Sequence, residues 1–310
     1  MLSRRQLRSK VLLALYSFFQ SGKNDLASAE KELLRSIDKV YDLYLLLLLL
    51  LSELADADRN DAEELHTKYF PKADEVNARH RLHQLRFINE LSAHADFRNE
   101  IKNRKLSWQN EGDLLRKLFL EIKKSEDYLN LLRSEKEDDK AFLTLLIKNH
   151  LLPSEALNTF LDESNIYWND DFDFICHMLL KNINAYYDQS VFQLFSLYKD
   201  EKDDKAFVRE LFTKTVLHNE EFEKAIAEKT RNWDLERIAL VDIIILKMAL
   251  AELTSFPGIP VKVTINEYID ISKEYSTPKS KQFVNGVIDK LAQEFKEQGK
   301  IVKSGRGLIG

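Results

Sequence analysis

The sequence predicts an all-α fold, a helical bundle, and three observations carry that reading. Turn residues are scarce: of 8 glycines only Gly22 and Gly112 precede Gly258, and the 5 prolines stand at 71, 153, 257, 260 and 278. A sheet protein of this length needs many more. Apolar residues recur at helical spacing, as in Leu7, Val11, Leu15 and Phe18. The charged fraction of 31% suits many exposed helix faces.

Taken in order, residues 4–20 form a first helix, with Arg4, Arg8 and Lys10 off its apolar stripe. Residues 27–55 form a second. Its leucine run Leu45–Leu51 is bounded by Asp42 and Glu53. A membrane span needs about 20 apolar residues, so this run predicts a helix buried on most sides. Periodicity then predicts helices near 75–103, 111–133, 138–149, 153–161, 170–188, 190–199, 204–216 and 219–229. In the next, 234–254, Ile238, Val241, Ile245, Met248 and Glu252 continue one face. Val241–Leu246 is apolar almost all round, which predicts the central helix of a bundle. Phe256–Pro257–Gly258–Ile259–Pro260 stops it, and Pro260 opens a helix over 262–274. Ser280 is the expected N-cap of a last helix, 280–297. Gly286 inside it costs about 1 kcal/mol against alanine, which suggests close helix packing. From Gly299 the chain reads as a flexible basic tail. The expected domains are 1–200, an N-terminal helix plus an expanded helical region; 201–298, a C-terminal bundle; and 299–310, the tail.

With 310 residues and 44% hydrophobic side chains, the chain holds one large or two modest domains. Its net charge of −5 means that any nucleic-acid binding must come from a local patch. The single cysteine, Cys176, forms no intramolecular disulfide, which suits a reducing cytosol and a cytoplasmic location. The basic start followed by Val11–Leu15 mimics a secretory signal, but no small-x-small cleavage site follows. No membrane span is expected.

A faint internal repeat runs through the middle. Asp138–Asp139–Lys140–Ala141–Phe142 recurs as Asp203–Asp204–Lys205–Ala206–Phe207, and at the same offset Trp168 matches Trp233 and Glu163 matches Glu228. Duplication of a helical unit is the favoured reading. Two acids at a common helix start are the alternative.

Motifs for chemistry are missing. There is no glycine-rich phosphate loop, His-Glu-x-x-His, paired cysteine or G-x-S-x-G. His80 and His83 share a helix face but lack a third ligand, so surface histidines are the favoured reading. Cys176–His177 lies in an apolar run and reads as a core pair. Acidic clusters at 135–139 and 170–173 read as solvated turns and helix starts. No enzyme, no cofactor and no small-molecule substrate are expected.

Residues 1–10 hold four positive charges and no acid, with Arg4 and Arg8 on one helix face. Arginine suits RNA because its planar fork grips phosphate and stacks on bases. An ordinary cationic terminus is the plainer alternative.

Ser3–Arg4–Arg5–Gln6–Leu7–Arg8, then Ala14–Leu15–Tyr16, resembles the opening of the NusB transcription antitermination family. A second match runs from Trp233 through Ala251–Glu252–Leu253, the Pro257–Val263 turn, Asn266–Glu267 and Phe283–Val284–Asn285–Gly286–Val287. The resemblance implies an RNA-binding factor for ribosomal RNA operons. Its partners would be boxA-type RNA, the ribosomal protein NusE and the RNA polymerase elongation complex, with no membrane partner. It implies RNA contacts at Arg4, Arg5, Arg8, Lys262 and Phe283, and the neighbouring cations Lys10, Lys279 and Lys281 are expected to join them. For Phe283, core packing is an equal alternative. Tyr16 and Asp242 would face NusE, or else be satisfied internally. Lys279 stands where the family usually has an acid, and lysine attracts phosphate. The segment from about 55 to 200 is an expansion over the family core. A helical protein-interaction scaffold without RNA binding is the competing reading. The RNA-binding half of a methyltransferase is a weaker one, because no cofactor-binding domain is recognised.

Overall fold

The structure, a computed structural model, describes residues 2–22, 25–65, 81–134, 139–230 and 239–308. Among these, every long regular element is an α-helix and none is a strand. The helices are α1 (Arg4–Ser21), α2 (Leu26–Leu65), α3 (Arg86–Ala93), α4 (Ala95–Arg104), α5 (Gly112–Lys123), α6 (Glu126–Arg133), α7 (Asp139–Leu145), α8 (Glu155–Ser164) and α9 (Phe172–Gln189). They continue as α10 (Glu201–Leu217), α11 (Asn219–Lys229), α12 (Leu240–Ser255), α13 (Val261–Tyr275) and α14 (Ser280–Glu297).

The chain divides into two units. One combines residues 1–37 with 198–310; the other is 38–197. The first helix therefore belongs with the C-terminal bundle, whereas the sequence reading grouped it with residues up to 200.

In the first unit α12 is the centre. It packs against α1, α10, α11, α13 and α14, and every residue from Ile244 to Leu253 is buried. That explains its almost uniformly apolar sequence: a helix surrounded by helices has no solvent face. α1 begins with a capping box between Ser3 and Gln6 and buries Leu7, Val11, Leu12 and Leu15. Pro260 is the N-cap residue of α13, with φ −62° and extended ψ 143°. The N-cap of α14 lies one residue before the expected Ser280: it is Lys279, and Ser280, the first helical residue, turns its hydroxyl to Asp242. Gly286 is exposed, and among the described residues nothing outside its own helix backbone and chain neighbours lies within 4 Å of where its Cβ would be. It does not mediate close packing. The segment after Gly299 is tied down rather than loose, with Ser304 N–H donating to the Pro257 carbonyl at 3.0 Å.

In the second unit α2 carries the leucine run, buried except for the half-buried Leu49. Two tryptophans donate indole N–H to its carbonyls: Trp108 to Leu46 at 3.0 Å and Trp168 to Lys39 at 2.8 Å. Two predicted long helices are broken. Residues 82–103 split at Leu85 and His94, and His94 caps α4 through Phe97 N–H; residues 75–80 lie outside the described set. Residues 112–133 split at Ser125, whose hydroxyl caps α6. The helix expected at 190–199 is absent. Ser190 takes a left-handed φ of 55° and ends α9, and Phe192 then packs edge-on against Phe87 and His94.

Candidate nucleic-acid interface

The N-terminal turn of α1, the start of α10 and the Phe256–Pro260 turn enclose an open cleft of about 1210 Å³. Arg4, Arg5 and Arg8 all line it, as do Asp203, Glu267 and Phe207. The spacing of the three arginines on α1 delivers them together, because residues four apart share a helix face.

Each arginine has a different setting. Arg8 is only 3% exposed and pairs with the fully buried Glu252 of α12: Nε donates at 2.7 Å and Nη2 at 2.8 Å. Burial alone would lower the Arg8 pKa, but the hydrogen bonds and charge of Glu252 outweigh it and raise it. Glu252 also accepts from Thr264 Oγ1 at 2.9 Å and Tyr268 OH at 3.2 Å. Burial, then the Glu252 charge, holds the Tyr268 phenol well above its ordinary pKa. The carboxylate thus has four donors, which is what allows it inside an apolar helix cluster.

Arg5 is 42% exposed and clasps Glu267 with Nε at 3.1 Å and Nη2 at 2.8 Å, while Nη2 also reaches Asp270. These bonds, Glu267 first, raise its pKa. Arg4 is 33% exposed and pairs with Asp203, and with Asp204 at 3.2 Å. Its guanidinium lies 4.2 Å from the centre of the Phe207 ring, and that of Arg8 lies 5.3 Å from it. Phe207 is thus a shared cation–π floor.

The other predicted contacts are distributed differently. Lys10 is buried. Phe283 is 5% exposed and part of the core. Lys262, Lys279 and Lys281 are exposed and make no ion pair among the described residues. Lys262 sits on the first turn of α13, while Lys279 and Lys281 flank the start of α14 beside Asp242. Asp242 and Glu252 lie about 15 Å apart along the α12 axis, so Lys279 and Lys281 stand away from the arginine cleft, whereas Lys262 lies between Pro260 and Val263, which line it. Tyr16 is 39% exposed. Asp242 is 4% exposed; one carboxylate oxygen accepts from Ser280 at 2.6 Å and the other has no partner among the described residues.

Sequence reasoning missed the acids. Asp203, Asp204, Glu252 and Glu267 hold the arginines, and the available signal was a lone glutamate on the otherwise apolar face of α12. The repeat has a physical counterpart. Asp139 and Asp204 are both buried; each accepts backbone N–H groups, from Arg86 and from Lys199 and Asp200, and each neighbours an arginine, Arg86 or Arg4. Asp139 is therefore not a solvated turn residue. Asp138 and Trp233 lie outside the described residues.

Elsewhere, His83 is not the surface histidine that the sequence favoured. It is half-buried, with Nδ1 2.6 Å from the fully buried Asp58, which also accepts from Tyr128; His80 lies outside the described residues. Cys176 is buried and His177 exposed, so they are not a core pair. Among the described residues, no group of three or more His, Cys, Asp or Glu is arranged for a metal ion, and no helix is long and apolar enough to cross a membrane.

Fold and site together define an all-α protein whose first unit is built round a buried central helix, with an arginine-lined cleft by the C-terminal end of that helix. The model of the NusB family matches residues 172–293. That stretch contains Asp242, Lys262, Lys279, Lys281 and Phe283 and excludes the α1 arginines. A transcription antitermination protein NusB from Salinibacter ruber is 42% identical over 111 residues, covering 36% of this chain and 69% of the relative. The Koribacter versatilis protein of that name is 39% identical over 100 residues, covering 32% of this chain and 68% of the relative. The chain spans half the length of the Chloroherpeton thalassium relative, 39% identical over 105 residues and 34% of this chain. A solved structure of T. maritima NusB aligns with 52% of this chain and 95% of its own, at 25% identity and a TM-score of 0.31. The chain belongs to the NusB family.

Proposed function

We propose that this protein is a transcription antitermination factor that binds boxA-type RNA together with the ribosomal protein NusE, and acts on ribosomal RNA transcription in the cytoplasm. The observation that carries the reading is the 42% identity to a NusB antitermination protein over 69% of that relative. The cleft supports it. Arg4 is part-exposed over Phe207 and Asp203, and Arg5 over Glu267 and Asp270, and each guanidinium keeps N–H donors for a phosphate. Arg8 has a different part: sealed against Glu252, it holds α1 in place so that Arg4 and Arg5 are presented. Phe283 supports the α14 core. Lys262, Lys279 and Lys281 are exposed, make no ion pair among the described residues, and would add phosphate contacts outside the cleft.

The test is a titration of short boxA-type RNA at several salt concentrations, with and without the ribosomal protein. Salt-sensitive binding, strengthened by the ribosomal protein and weakened in Arg4→Ala/Arg5→Ala, is the expected result. Indifference to RNA with retained protein binding would favour the competing scaffold reading. The observation on its side is that all three arginines already have carboxylate partners.

A further inference from the structure

The chain after α14 lies against one wall of the arginine cleft. Gly299 turns it with φ 70°, and Lys300 N–H donates to the Phe295 carbonyl at 2.8 Å. Ser304 N–H then donates to the Pro257 carbonyl at 3.0 Å, and Gly307 N–H to the Ser304 carbonyl at 2.9 Å. Gly307 passes so close to the Pro257 carbonyl that a Cβ there would collide with it. The wall it covers is the Phe256–Pro260 turn, which lines the cleft with Arg4, Arg5 and Arg8.

Lys303 Nζ donates to the Phe256 carbonyl at 3.0 Å. The Phe256 ring packs edge-on against Phe207 at 5.2 Å, and Phe207 lies under Arg4 and Arg8. Lys303 is thus bonded to the residue whose ring adjoins the Phe207 floor of the arginine cluster. It is half-buried and makes no ion pair among the described residues. An ammonium with one protein acceptor has two donors left. Burial lowers the Lys303 pKa, and the nearby charge of Glu252 opposes that only in part. A phosphate would supply the counter-charge that this ammonium lacks.

We propose that residues 301–308 brace the Phe256–Pro260 wall of the cleft and that Lys303, beside that wall, is a further phosphate-binding cation for single-stranded RNA. This rests on the RNA-binding reading above. The strand is gripped from both sequence ends of the first unit, by α1 arginines and by a lysine beyond α14.

Lys303→Gln removes the charge and keeps an amide donor for the Phe256 carbonyl; Lys303→Arg keeps the charge. Both are titrated beside the wild type and Arg5→Ala with a short single-stranded boxA-type RNA over a KCl series. In Lys303→Gln, affinity should fall several-fold and the salt slope should become shallower by about 0.7, the contribution of one single-strand phosphate. Its thermal midpoint should stay at the wild-type value, and Lys303→Arg should keep the wild-type slope. A Lys303→Gln protein with wild-type slope and affinity, while Arg5→Ala loses binding, overturns this assignment alone. A wild type without salt-dependent RNA binding overturns both.

Discussion

Arg8 of α1 and Glu252 of α12 form a bidentate pair in the interior of the first unit, at 2.7 and 2.8 Å, with the carboxylate fully buried. A buried pair of this kind contributes little over a well-packed apolar pair, yet losing one partner leaves an uncompensated charge. Arg8→Ala should therefore lower unfolding free energy by about 3–5 kcal/mol. Arg8→Met with Glu252→Met should recover most of it. Urea denaturation of the three proteins checks this, and a single variant as stable as wild type would refute the pairing.

Gly286 should act in the opposite direction. It is exposed within α14, and among the described residues nothing outside its own helix backbone and chain neighbours lies near its missing Cβ. Gly286→Ala should stabilise by about 0.5–1 kcal/mol, through backbone entropy alone. A loss of stability in the same denaturation assay would mean that the position is packed.

Cys176 should be inert while the protein is folded. Burial, with the Asp173 charge behind it, pushes its thiol up to about 12. The thiolate needed for alkylation is then almost absent at neutral pH. A maleimide should label it only in denaturant; rapid labelling of native protein would contradict its burial.

Asp270 gives the acid limb a small component. Its hydrogen bond from Lys273, and then the charge of Arg5, hold its pKa below the ordinary 3.8. The sign follows from linkage: the stabilisation is complete above 3.8 and is lost as pH falls through the lower, folded value. Solvent screening keeps it slight. Denaturation midpoints of wild type and Asp270→Asn should differ at pH 7 and converge in strong acid.

Lys279 is predicted to strengthen RNA binding. It is exposed and makes no ion pair among the described residues. Lys279→Asp should weaken RNA affinity and make the salt slope shallower by about 0.7. Identical slopes would remove it from the interface.

Much of this was legible in the sequence because it depends on periodicity and on turn chemistry. The apolar α12, the Phe256–Pro260 stop and the stripe of α1 are local signals. The breaks at Ser125 and His94 were legible too, as polar caps, but apolar periodicity ran across them. What stayed hidden was pairing across long sequence separations. Nothing near Arg8 points to Glu252, and nothing near Lys303 points to the Phe256 carbonyl. The repeat at Asp139 and Asp204 was visible as letters; the burial of both carboxylates was not.

The first unit is assembled from residues 1–37 and 198–310, with the whole second unit between them. At about 5–20 residues per second of synthesis, α1 leaves the ribosome tens of seconds before α12 exists to receive it. Until then its Leu7–Val11–Leu15 stripe has no native cover. Residues 38–197 can fold during that wait, so the nascent chain is expected to mature from the middle outward, with its earliest-made helix docking among the last.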